Sequence, residues 1–282
     1  MTFRDRAPAK INLCLFLGPT RPSDGRHELV SVMQSLELAD DVVLEPAPDS
    51  DDEVLCPGVE GPNLAGDALA AFRAATGWDA PPQRLTITKR VPVAAGMGGG
   101  SGDAAAALRL AARAAGVEDD ALLLRLAAQL GADVPAQVRP GRALATGAGE
   151  QVRRLPPGPP LGVLVLPHDA PLSTADVYRE ADRLALPRDA SALVAARAEV
   201  EAALPELPAE LLVNDLAPAA RALEPAIAPR EREAASAGAD HVLVSGSGPT
   251  VLGLFFGDDG PQRARAAAAG LRGAIATEAL RA

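Results

Sequence analysis

Apolar and polar positions alternate most clearly near the N-terminus. Over residues 9–17, Ile11, Leu13, Leu15 and Leu17 alternate with Asn12, Cys14 and Phe16, a period of two that predicts a β-strand with one consistently apolar face. Turn residues fill the next stretch, GPTRPSDGRH. Residues 29–38 and 42–45 then read as two further strands joined at Ala39-Asp40-Asp41. Asn63 precedes an alanine-rich stretch that ends at Gly77, which predicts a capped helix. Leu85, Ile87, Val91 and Val93 predict a strand running into a glycine-rich segment. Helices follow over 103–115 and 120–130, stopped by Gly116 and Gly131. Residues 141–152 read as a strand pair. After the proline-rich LPPGPPLG come a strand at 161–166, helices at 175–184 and 190–203, and a strand at 241–245. A Gly-Ser-Gly turn, a strand at 250–256 and an amphipathic final helix complete the pattern.

Strands and helices mixed without a regular βαβ repeat predict an α+β fold. A chain of 282 residues is long enough for two domains, and the proline-rich stretch is the clearest linker. The expected division is an N-terminal domain over 1–155 and a C-terminal domain over 161–282.

Composition narrows the function. The chain is 48% hydrophobic and 23% charged, as expected of a globular protein with a real core. A net charge of -10 argues against a nucleic-acid partner, which needs a basic footprint. The N-terminus lacks an apolar signal segment, and no apolar run is long enough to span a bilayer, so no membrane partner is expected. Cys14 and Cys56 form no disulfide framework and no zinc spacing, and read as reduced thiols of a cytoplasmic protein. Only two lysines, Lys10 and Lys89, stand among 25 arginines. In so arginine-rich a chain, a retained lysine hints at a place for a compact ammonium where a planar guanidinium would not serve.

The most informative stretch is VPVAAGMGGGSGDAAAAL, residues 91–108. It places Gly96, Gly98, Gly99, Gly100 and Gly102 between a predicted strand and a predicted helix, with Ser101 and Asp103 at the helix start. Glycines let the backbone curl so that successive N–H groups face one point, and the helix start adds unpaired N–H groups and its positive dipole end. Together these form a lysine-free site for a polyphosphate. A Walker A loop is excluded because no Lys-Ser/Thr follows. A dinucleotide fingerprint is excluded because Ser101 stands where the third glycine belongs.

This loop resembles the phosphate loop of the galactokinase–homoserine kinase–mevalonate kinase–phosphomevalonate kinase (GHMP) superfamily. Pro92, Gly96, Gly98, Gly99, Gly100, Ser101 and Ala104 match its pattern, with Met97 for leucine and Gly102 for a small hydroxyl residue. APAKINL (7–13) and VSGSGPTV (244–251) resemble two further motifs of the family, in the expected order. The resemblance implies a two-domain GHMP kinase fold, with an N-terminal domain like the second domain of ribosomal protein S5 and a ferredoxin-like C-terminal domain. The finer likeness is to members that phosphorylate the 2-hydroxyl of a cytidine diphosphate-linked methylerythritol, in non-mevalonate isoprenoid precursor synthesis. It rests on PAKINL, on Asp24, Gly25 and His27, on LGADVP (130–135), on residues 173–178 and on Asn214–Asp215.

By that resemblance ATP is the phosphoryl donor, cradled by Pro92, Val93, Ala94, Ala95, Gly96, Met97, Gly98, Gly99, Gly100, Ser101 and Gly102. Mg²⁺ is expected with the triphosphate, and Ser101 is its one proposed protein ligand. Asp133 is the implied general base, and Lys10 its neighbour, offsetting charge on the reacting oxygens. Asn12 is implied to touch the methylerythritol, the His27 segment the cytosine edge, and Tyr178 the cytosine face. Arg26 stands where the family usually has a stacking aromatic; a guanidinium can also stack on a base. Gly246, Ser247 and Gly248 are implied to close over the substrate. His168 and Asp169 read as a solvated turn. The expected partner is this small molecule, with the chain a monomer or homodimer. Three alternatives stay open: another GHMP kinase such as a homoserine kinase, a non-catalytic sensor of the same fold, and an ATP-using decarboxylase of that fold.

Overall fold

The computed structural model describes residues 1–48, 51–168 and 172–281, and Asp169 lies outside them. Along the chain run β1 (Phe3–Thr20), β2 (His27–Pro46), β3 (Glu53–Leu55), α1 (Leu64–Thr76), β4 (Gln83–Thr88), α2 (Gly99–Ala115), α3 (Asp120–Leu130) and α4 (Val134–Val138). Then follow β5 (Arg142–Thr146), β6 (Gln151–Arg154), β7 (Leu161–Leu166), α5 (Thr174–Arg183), α6 (Ala190–Ala203), α7 (Ala217–Leu223) and α8 (Ile227–Ser236). The last elements are β8 (His241–Val244), β9 (Val251–Phe256), α9 (Gly260–Ala269) and β10 (Ile275–Glu278). They pack as two compact units. The first comprises Met1–Lys10, Leu38–Val93 and Gly98–Pro140; the second comprises Ile11–Glu37, Ala94–Met97 and Gly141–Ala282.

In the first unit, β4 pairs antiparallel with the end of β2, Asp41↔Thr88 through Pro46↔Gln83, and parallel with β3. Helices α1, α2 and α3 bury Leu69, Phe72, Leu108, Leu110 and Leu123 together with Leu44, Leu85 and Ile87 of the strands. Ala104, Ala105, Ala106 and Ala107 are all fully buried, so this stretch of α2 adds little side-chain bulk and lets its neighbours approach closely. Asn63 caps α1 by accepting from Ala65 N–H, and Gly77 ends it in the left-handed conformation.

The second unit holds a four-stranded antiparallel sheet in the order β10-β7-β9-β8. Leu164, Leu166, Val251 and Phe255 meet Val177, Ala220, Ile227 and Ala264 of the helices in its core. The same unit contains β5, paired antiparallel with β2 at Ser31↔Ala145 through Gln34↔Arg142, and the β5–β6 pair. Nearly all pairings are antiparallel and the helices are not regular crossovers, which makes the fold α+β as expected.

Several elements differ from expectation. Strand β1 is longer than predicted and is buried on both faces from Ala7 to Gly18, not on one. Its second face carries Lys10 and Asn12, which local alternation scores as solvent-facing. Strand β2 runs unbroken through Ala39-Asp40-Asp41. The fully buried Asp40 carboxylate accepts from Arg90 N–H (2.5 Å), Val91 N–H (2.8 Å) and Lys89 Nζ (2.6 Å). With its side chain bonded to distant partners, Asp40 does not fold back on its own backbone to make a turn. Strand β4 ends at Thr88, before Val91 and Val93, and α2 begins at Gly99, four residues ahead of Asp103. Chain-end strand β10 follows α9, so the final helix is not the last element. Helices α4 and α7 had no distinct periodic signal.

Candidate active site

In the first unit, Lys10 projects from β1 and Asp133 stands at the N-cap of α4. Lys10 Nζ lies 3.1 Å from Asp133 Oδ2, with the ammonium buried and the carboxylate 32% exposed. The Asp133 side chain does not cap its own helix, which leaves its oxygens for Lys10 and for solvent. Pro135 in the first turn of α4 has no N–H to lose there. Behind Lys10 sits Gly98, at φ +65°, where an added Cβ would come within 2.9 Å of Lys10 Cγ and 3.0 Å of Cε. The lysine stem therefore packs directly on the glycine backbone.

Gly98 is also the N-cap of α2, with no side chain to cap it. The first intrahelical bond runs from Gly102 N–H to Gly98 C=O, 2.8 Å, so the N–H groups of Gly99, Gly100 and Ser101 have no partner within the helix. A Cβ built on Gly100 meets nothing within 4 Å, so this end of the helix is open. Gly102 lies against Pro8 C=O, where a Cβ would stand at 3.0 Å, and so holds the helix start close to β1. Pro92 is half-buried, Val93 is exposed, and Ala94 and Gly96 adopt positive φ as the loop turns. Ser101 is half-buried in the first turn of α2.

Lys89 forms a second buried ammonium–carboxylate cluster. Its Nζ lies 2.6 Å from Asp40 Oδ2 and 2.8 Å from Asp103 Oδ2, with both carboxylates almost wholly buried. Burial pushes Asp103 up to about 6, against the opposing pull of Lys89. Burial alone would lower Lys89, but its bonds to Asp103 and Asp40 outweigh this and hold it above the ordinary lysine value. The cluster joins β2, the segment after β4 and the first turns of α2. Lysine scarcity marked Lys89 in the sequence, but no partner for it was legible.

The second unit gathers the other predicted residues into two groups. Asn12 donates to Ser31 Oγ (2.7 Å), which donates to Cys14 C=O (2.6 Å). Gly96 packs on the turn after β8: an added Cβ would come 2.3 Å from Ser245 C=O, and Ser245 Oγ donates to Gly96 C=O at 3.0 Å. Gly246 and Gly248 of that turn both have positive φ. Buried Asn214 donates to the carbonyls of Val244 (2.8 Å) and Gly246 (2.7 Å), fixing the turn from beneath. Ser247 Oγ and Thr174 Oγ1 lie 3.0 Å apart.

In the other group, His27 Nδ1 donates to Gly18 C=O at 2.9 Å and its Nε2 lies 3.1 Å from Asp182 Oδ1. Its ring stands 5.6 Å from the half-buried Tyr178 ring, tilted by 40°. Arg26 donates to Ala148 C=O at 3.3 Å. Ala95 and Met97 are buried, which anchors the loop while Ala94 stays exposed.

An uncapped glycine-rich helix start thus stands beside an ammonium–carboxylate couple. Residues 63–141 match the family model of the GHMP kinases N terminal domain, and residues 194–274 that of the GHMP kinases C terminal. The 4-diphosphocytidyl-2-C-methyl-D-erythritol kinase of a Nocardioides species is 42% identical over 289 residues, covering 95% of this chain and 93% of the relative. That of Anaeromyxobacter dehalogenans is 41% identical over 281 residues, covering 95% and 84%. A crystal structure of 4-(cytidine 5'-diphospho)-2C-methyl-D-erythritol kinase has a TM-score of 0.78 at 34% identity, covering 98% of this chain and 99% of that one. The homoserine kinase of Cytophaga hutchinsonii, at TM-score 0.70 and 18% identity over 99% and 94%, shares the fold. This chain belongs to the GHMP kinases and, within them, to the family of 4-diphosphocytidyl-2-C-methyl-D-erythritol kinases.

Proposed function

We propose that this protein transfers the γ-phosphoryl group of ATP to the 2-hydroxyl of 4-diphosphocytidyl-2-C-methyl-D-erythritol, a step of non-mevalonate isoprenoid precursor synthesis. The observation that carries the reading is the 3.1 Å approach of Lys10 to Asp133, with the Lys10 stem packed on the Gly98 backbone of the phosphate loop. Relatives about 40% identical over nearly the whole chain give the acceptor.

In this reading the unpaired N–H groups of Gly99, Gly100 and Ser101 bind phosphate oxygens, aided by the dipole of α2. The Asp133 carboxylate accepts the hydroxyl proton as that oxygen bonds to the γ-phosphorus, and the bond to the β,γ-bridging oxygen breaks to release ADP. Lys10 offsets the charge that develops on the reacting oxygens. Asn12 contacts the methylerythritol part. His27, Arg26 and Tyr178 hold the cytosine, and Gly246, Ser247 and Gly248 contact the substrate through their turn.

The residues present fit Mg²⁺ carried by the triphosphate rather than caged by the protein. No cluster of three acidic, histidine or cysteine side chains converges among the described residues, and Ser101 offers one hydroxyl in the first turn of α2. When bound, the ion neutralises phosphate charge.

Among the described residues no helix is long and apolar enough to cross a membrane, and both cysteines are free thiols, which supports cytoplasmic residence. An ADP-release assay with the cytidyl substrate, homoserine and diphosphomevalonate tests the proposal. Release with the cytidyl substrate alone is expected; release with homoserine alone, CO₂ from diphosphomevalonate, or no turnover at all would replace it with one of the three alternatives.

A further inference from the structure

Arg142, the first residue of β5, has no place in the chemistry above, yet it is buried to 3% exposure. Buried guanidinium groups are normally paired with carboxylates, because an isolated charge is costly to remove from water. Among the described residues no carboxylate forms an ion pair with Arg142. Nη1 donates to Pro205 C=O at 2.5 Å, and Nε is buried with no partner. Burial lowers its affinity for its own proton, and the neighbouring Cys14 offsets this only in part.

The side chain is nevertheless held in one place. Gly158 passes directly over it, where an added Cβ would come 2.3 Å from Nη1, and Gln34 stands opposite it in the β2–β5 register.

Arg142 lines a cavity of about 300 Å³ within the second unit. The walls are mostly apolar, with Leu13, Leu161, Leu207 and Phe256, and the exposed Glu206 stands at the rim. Leu13 and Asn12 are successive residues of β1 and point to opposite faces of the strand. The cavity is therefore on the other side of β1 from the side chain assigned to the methylerythritol.

From these observations we propose that the cavity is a second ligand site, which takes a small molecule with one anionic head on Arg142 and a short apolar body against the leucines and Phe256. The free guanidinium donors match a phosphate or carboxylate oxygen pair. The volume suits a body of a few carbon atoms.

The test is calorimetric titration of the full chain with butyl phosphate and with hexanoate, using inorganic phosphate and 1-butanol as single-feature controls. Saturable binding of at least one of the two amphiphiles is expected, at least tenfold tighter than either control, and the better head group identifies the anion. Arg142→Met keeps the length of the side chain and removes the charge; it is expected to lose that binding at least tenfold while melting no lower than the wild type. Leu207→Trp is expected to abolish binding by filling the cavity mouth, and serves alone if the Met variant does not fold. Failure of both amphiphiles to bind the wild type, binding no tighter than the controls, or undiminished binding by either folded variant overturns the proposal. The readout is independent of kinase turnover, so it succeeds or fails separately from the function proposed above.

Discussion

Lys10 in β1 and Asp133 at the head of α4 approach to 3.1 Å, with the ammonium buried and the carboxylate open to solvent on one side. A carboxylate held this way can take a proton from an incoming hydroxyl without leaving its partner. Asp133→Asn is expected to lower kcat by about 10²–10⁴ and to leave nucleotide affinity within a few-fold. Steady-state kinetics together with equilibrium titration of ADP measure both; unchanged kcat would remove Asp133 from the base role.

Gly98 meets two demands at once, a positive φ and the Lys10 stem behind it. Gly98→Ala is expected to cost about 1 kcal/mol or more of stability from the backbone conformation alone. The new methyl group would also displace Lys10 from Asp133. A fall of at least tenfold in kcat/KM for ATP, larger than that of Gly100→Ala, checks this, because Gly100 faces open space.

Among the described residues, Lys89 is the one cation paired with the buried carboxylates of Asp40 and Asp103. Replacing it with methionine leaves Asp103 without its cation and Asp40 with only the amides of Arg90 and Val91, and is expected to cost about 3–5 kcal/mol. Urea denaturation measures the loss. The double variant Lys89→Met with Asp103→Asn is expected to recover part of it, as one buried charge is removed.

Cys14 supplies a pH dependence with a definite sign. Burial pushes its thiol from 9.0 to about 12. Between those values the unfolded chain has lost the proton and the native chain has kept it, so stability falls as pH rises above about 9, by about 1.4 kcal/mol per unit for this group. Denaturation at pH 8, 9 and 10 is expected to show a steeper decline for the wild type than for Cys14→Ala. Native protein at pH 8 is also expected to resist thiol reagents at Cys14.

The parts of the fold legible in the sequence were those encoded locally. Asn63 and Gly77 bracket α1 because capping depends on a few adjacent residues, and β7 and β9 announce themselves by continuous apolar runs. The glycine run was legible as a turn leading into a helix, but the start of α2 was not. Glycine is a poor helix former, and only the surrounding packing, such as Gly102 against Pro8, favours a first turn made of it. Asp40 was misleading for the same reason in reverse. Beside Ala39 and Asp41 it has the composition of a turn, and its actual partners, Lys89 and the amides of Arg90 and Val91, are far away in sequence. Arg142 gave no signal at all, since nothing local distinguishes a buried arginine from a surface one.

Strands β1 and β2 each supply residues to both compact units, so neither unit is one continuous length of polypeptide. A gene divided at the proline-rich segment would produce a C-terminal fragment lacking the stretch Ile11–Glu37 on which its own unit is built. Such halves are expected to be insoluble when expressed singly and to gain solubility only when synthesised together. A fusion partner or reporter is therefore better joined at either terminus than inserted at that junction.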